Sequence, residues 1–126
     1  MNCSYEYTKD VKYKSFEQLV NNSLINLGFN INNFGTKLLK DLILYAYFNQ
    51  DYDIYFDKVV SAFFKYRSIN NISVNTASHR ICYAIQNANY NIFKENFSTI
   101  FNIEYDYYFR SPKNLLILFI NNLNNK

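Results

Sequence analysis

His79, Arg80, Tyr83, Gln86 and Asn87 recur at helical intervals within NTASHRICYAIQNANYN (75–91), and each ends in a hydrogen-bonding group that is not a carboxylate. Arginine offers a donor fork to guanine or phosphate, and the amides of Asn and Gln offer the donor–acceptor pair that matches adenine. The chemistry on offer is recognition rather than bond-making. His79 is the single histidine; nothing in the sequence supplies it with a nucleophile or a carboxylate pair, so a surface or capping role is its plainer reading and no catalytic residue is expected. The plain alternative for the whole stretch is a surface helix whose polar residues face water.

The charge pattern bears on that choice. The net charge of +3 is modest and common among soluble domains. The ten acidic residues leave 58–94 empty, however, while Lys58, Lys65, Arg67, Arg80 and Lys94 fall inside that window. A locally basic middle is what a phosphate-facing surface requires, although chance clustering in an Asn-rich chain gives the same pattern.

Other chemistries lack their residues. Cys3 and Cys82 form no CxxC and stand near no histidine cluster, so neither a disulfide nor a metal site is expected. DYDIYFD (51–57) resembles a calcium loop superficially, but it has no central glycine and carries Ala62 where the twelfth-position acid should stand; helix capping accounts for it better. No phosphate-binding glycine loop is present, so no cofactor is expected and the chain does not read as an enzyme. The start, MNCSYEYTKDVK, lacks the apolar core of a signal peptide, and no run approaches a membrane span. A soluble, cytoplasmic protein is the expectation. The Tyr, Phe, Asn, Ile and Lys abundance reads as the imprint of AT-rich codons.

A chain of 126 residues is long enough for one hydrophobic core. A first helix is expected from Phe16, Leu19, Val20, Leu24 and Leu27, with Ser15 and Gln18 as a capping box and Gly28 as the left-handed stop; residues 1–14 then form an N-terminal extension and 15–126 a single domain. Leu38, Leu39, Leu42, Ile43, Tyr45 and Ala46 mark a second, central helix. Asp53 can cap a third, carrying Phe56, Val59, Val60, Phe63 and Phe64, which fades at RSINNISVN. The quoted stretch is the fourth, about 77–90, capped by Thr76 or Asn75, with Ile81, Ala84, Ile85 and Ala88 inward. Phe93, Phe97, Ile100 and Phe101 suggest a short fifth. NIEYDYYFRS then reads as an extended segment or a loop; its aromatics could stack unpaired bases, but packing on the core is their commoner fate. Ser111-Pro112 opens a sixth helix with Leu115, Leu116, Phe119, Ile120 and Leu123 buried. The fold expected is all-α, about six helices, in which the third and fourth form a helix-turn-helix.

Over residues 16–123 the chain resembles the C-terminal DNA-binding effector domain of the stage-zero sporulation response regulator of endospore-forming bacteria. LGFNINNFG (27–35) sets the chain's only two glycines on the two of the family's LG…G element, and TKLLKDLILYAYFN follows where the family has its YLREAI helix. With Arg80 on the first family arginine, the quoted stretch aligns without a gap to TxSRVERAIRHAI, so that Ile81, Ala84, Ile85 and Ala88 match its buried positions. TIFN (99–102) stands for LFG, and SPKN (111–114) for KPTN.

The resemblance implies a transcriptional regulator, of the kind that serves sporulation, bound to double-stranded DNA with helix 77–90 in the major groove. It implies DNA contacts by Thr76, His79, Arg80, Tyr83, Gln86 and Asn87, with Lys58, Lys65 and Arg67 on phosphates. Cys82, Tyr83 and Gln86 replace a Glu and two Arg of the family helix, and Asn87 its His, so a different preferred site with more weight on A·T pairs is expected. The chain leaves no room for the family's receiver domain, which suggests a stand-alone effector. The other reading is a degenerate paralogue that has lost DNA binding and acts through protein contacts, with RNA polymerase or a paralogous regulator as partner.

Overall fold

The computed structural model describes residues 3–49, 58, 61, 63, 65 and 73–125, and among them all regular structure is helical. The helices are α1 (Cys3–Asn26), α2 (Phe34–Phe48), α3 (Val74–Asn87), α4 (Tyr90–Phe101) and α5 (Pro112–Asn124), with a 3₁₀ turn at Tyr107–Arg110. The expected third helix falls almost wholly outside the described residues; Lys58, Ser61, Phe63 and Lys65 are helical, and Phe63 is buried. The expected fourth, fifth and sixth helices are α3, α4 and α5.

Helix α1 begins at Cys3 and runs through Ser15, so the expected capping box does not start it. The sequence of its early turns carries no apolar stripe to betray them; further along, Tyr13 stacks on Phe48 with centroids 5.6 Å apart and Phe16 meets Tyr47 at 4.9 Å. Val20, Leu24 and Leu27 are buried as expected, whereas Leu19 is 37% exposed, at the edge of the stripe. The end is a Schellman motif: Phe29 N–H donates to the Leu24 carbonyl at 3.0 Å and Gly28 N–H to that of Ile25 at 2.9 Å. Gly28 takes the left-handed conformation this needs, at φ 86°.

Helix α2 is the centre, packing on α1, α3 and α5. Asn33 caps it, its side-chain oxygen accepting from Gly35 N–H at 2.8 Å and Thr36 N–H at 3.4 Å. Leu39, Leu42 and Ile43 are fully buried, and Phe97, Leu116, Phe119, Ile81 and Ile85 close the same core. Helix α4 adds an aromatic spine: Phe97 lies against Phe93, Phe101, Tyr105 and Phe109, with centroids 5.0–5.8 Å apart. Two members of the spine, Tyr105 and Phe109, come from the segment expected to be extended or a loop; it is irregular through Asp106 and then forms the 3₁₀ turn at Tyr107–Arg110, capped by Asp106 accepting from Tyr108 N–H at 2.8 Å. Ser111-Pro112 opens α5 as expected.

Helices α2 and α3 approach closely at Gly35. A Cβ added to Gly35 would overlap the Arg80 carbonyl oxygen, lie 2.8 Å from its carbon and meet the Ala84 Cβ at 3.0 Å. Helix propensity alone would make Gly35→Ala stabilising by up to about 1 kcal/mol. The obstruction is backbone, which cannot rotate away, so overpacking wins and Gly35→Ala lowers the unfolding free energy by about 1–3 kcal/mol. Chemical denaturation of the two proteins checks this; a variant as stable as the parent would show that the helices are not in contact there.

Candidate nucleic-acid interface

Helix α3 starts earlier than Thr76. Ser73 is the cap, its hydroxyl oxygen accepting from Thr76 N–H at 3.1 Å while its own O–H donates to the Thr76 Oγ1 at 3.0 Å. Of the cap-competent residues here, Ser73 is used rather than the expected Thr76 or Asn75, and Ala77 and Ile81 face the core. The helix also ends earlier, at Asn87. Ala88 is extended, and Asn89 caps α4 by accepting from Ile92 N–H at 3.1 Å. Tyr90 therefore belongs to α4, and the candidate recognition helix is 74–87 rather than 77–90.

Ala77, Ile81, Ala84, Ile85 and Ala88 are buried, and Thr76, His79, Arg80, Tyr83, Gln86 and Asn87 are exposed. At about 100° per residue those six fall within an arc of about 120°. Six of the nine proposed contact residues thus share one face. Lys58 and Lys65 are exposed on the helical segment ahead of it, and Arg67 lies outside the described residues. The turn before α3 is mostly outside them too, so the helix-turn-helix is not established.

The face is not uniform. Asn87 Nδ2 donates to the Tyr83 carbonyl at 2.8 Å, which commits one of its two donor hydrogens to the helix end. The Gln86 amide makes no hydrogen bond among the described residues, so both halves of its donor–acceptor pair are available. Tyr83 is 61% exposed. Cys82, at the margin, is half-buried, and burial pushes its thiol up, so it stays protonated near neutrality and is a poor nucleophile.

Arg110 holds the far end of α3, a role with no sequence signal. Its Nη2 donates to the carbonyls of Ile85 at 2.7 Å and Ala88 at 3.2 Å, with a longer contact to Gln86 at 3.4 Å. The guanidinium lies over the rings of Tyr90 and Phe93, 5.3 and 5.1 Å from their centroids. A cation thus satisfies the orphan carbonyls at the negative end of the helix dipole. The same 3₁₀ turn leaves Tyr107 and Tyr108 exposed, and they share a cleft with Gln86 and Asn114. Among the described residues no group of His, Cys, Asp or Glu is placed to hold a metal, and no helix is long and apolar enough to cross a membrane.

Arg110→Ala removes the charged cap without opening the centre of the core, and costs about 1.5–3 kcal/mol, the usual worth of hydrogen bonds from a charged donor. Thermal or denaturant melts check the cost, and amide hydrogen exchange should quicken first in the last turn of α3. Unchanged exchange there would show that Arg110 does not hold the helix end. No family model matches the chain, and no curated protein or solved structure matches it.

Proposed function

We propose that the protein is a DNA-binding transcriptional regulator that lays α3 in the major groove and acts in the cytoplasm by binding promoter DNA rather than by chemistry. The carrying observation is the outer face of α3, where Thr76, His79, Arg80, Tyr83, Gln86 and Asn87 are exposed together within a stretch, 58–94, that has no acidic residue. A face that keeps water-competent donors and acceptors but no carboxylate suits a polyanion. At 14 residues the helix is roughly 21 Å long, enough for its side chains to reach several consecutive base pairs. Asn102 adds support to the resemblance behind this reading. It takes the left-handed conformation that ends α4, at φ 57°, where the family has the glycine of LFG, and Asn is the residue that substitutes for glycine there at least cost.

Gln86 is the principal reader of A·T pairs, Arg80 reads guanine or grips phosphate, and Lys58, Lys65 and Arg67 anchor phosphates. Service to sporulation belongs to the same proposal and rests on the resemblance alone.

Titrating a duplex of random sequence at several salt concentrations tests the reading. With roughly three to four phosphates neutralised, the log of affinity falls against log salt with a slope of about −3 to −4. Lys65→Ala weakens all duplexes alike and flattens that slope by about one, whereas Gln86→Ala costs about 1–3 kcal/mol on the preferred site only and leaves the slope alone. A wild type with no salt-dependent affinity for any duplex contradicts the reading. That outcome would favour the protein-contact alternative, whose support is the exposure of Tyr83, Tyr107 and Tyr108 around Gln86, since tyrosine is enriched where proteins meet.

A further inference from the structure

Phe34 is the first residue of α2, and its ring is 43% exposed. The core does not use it, and yet its position is fixed by its neighbours on both sides. Asn33 fixes the turn that presents it, through hydrogen bonds to Gly35 and Thr36, and Gly35 sits against the Arg80 backbone. The Arg80 guanidinium carbon lies 5.9 Å from the Phe34 ring centroid. Among the described residues no carboxylate pairs with Arg80.

From this geometry we infer that Phe34 is a positioning residue for Arg80, orienting its guanidinium for a bidentate contact with a guanine edge; the inference rests on the DNA-binding reading above. A ring can hold an arginine without neutralising it. A carboxylate in the same place would occupy the donor fork and cancel the charge, whereas an aromatic face takes the guanidinium and leaves its N–H edge available to an acceptor. Holding the long side chain in one arrangement before binding removes part of the entropy cost of fixing it on the DNA. An exposed phenylalanine beside a cation is thereby accounted for, as a feature of recognition rather than of packing.

A double-mutant cycle tests this with the whole chain, every variant first shown by circular dichroism to be folded. The probe is the duplex the wild type prefers, together with the duplex altered at the base pair whose preference disappears in Arg80→Ala. Phe34→Ala weakens binding to the preferred duplex about two- to fivefold, the range of an exposed cation–ring contact, and reduces discrimination at that base pair with the salt slope unchanged. Phe34→Tyr keeps both properties. In an Arg80→Ala background, Phe34→Ala changes nothing further.

Three results would overturn the inference while leaving DNA binding intact: Phe34→Ala binding as the wild type does, a Phe34→Ala loss that persists undiminished in the Arg80→Ala background, or Arg80→Ala itself without effect. A wild type that binds no duplex overturns the underlying reading and the inference with it.

Discussion

Helix α3 is fixed by close backbone contact at its middle and just past its C-terminal end, and both contacts are made by glycines. Near its middle, Gly35 admits the Arg80 carbonyl into space a methyl group would fill. Just beyond its end, the Gly28 carbonyl accepts the Asn89 N–H at 3.1 Å, with a Cβ on Gly28 facing Asn89 at 3.1 Å. Backbone contacts of this kind do not adjust by changing rotamer, so they set the roll of α3 as well as its distance. A roll of one residue would carry Tyr83 or Asn87 toward α2 and Ile81 toward water. The separation of a buried apolar face from an exposed hydrogen-bonding face therefore depends on two residues with no side chain, and any recognition role for α3 depends on that separation.

Asparagine does in this fold what charged residues do in many others. Asn33 and Asn89 cap the starts of α2 and α4, and Asn102 ends α4. Asn96 donates to the Asn26 carbonyl at 2.7 Å and Asn122 to that of Ile100 at 3.0 Å, each closing the end of another helix. The Lys40–Glu17 pair, 3.4 Å apart and partly exposed, adds little by comparison. A composition that looks like codon bias is thus absorbed into helix ends. The consequence for function is a sorting of the amides: Asn87 is partly committed to α3 itself, while Gln86 has no hydrogen-bond partner among the described residues.

The parts of the fold legible in the sequence were those fixed by local periodicity. The stripes Leu38 to Ala46, Ile81 to Ala88 and Leu115 to Leu123 marked helices because burial on one side demands that spacing, and Gly28 and Ser111-Pro112 marked ends because backbone geometry demands those residues. The start of α1 was hidden because the sequence of its first turns carries no apolar stripe at helical spacing. The start of α3 was placed too late because Thr76 and Asn75 are themselves good caps, whereas the helix is capped by Ser73. Arg110 could not be read at all, since the carbonyls it holds lie more than twenty residues away. The candidate face itself was legible residue by residue; the commitment of Asn87, the freedom of Gln86 and the ring beneath Arg80 required the third dimension.

The central claim is that the outer face of α3 reads duplex sequence. The most direct measurement is selection of bound duplexes from a random DNA library by the whole chain, in parallel with the Gln86→Ala variant. The account predicts convergence on a short motif weighted toward A·T pairs for the wild type, with preference at one position relaxed in the variant. Recovery of unenriched sequence from the wild type, or an identical motif from both proteins, would contradict it.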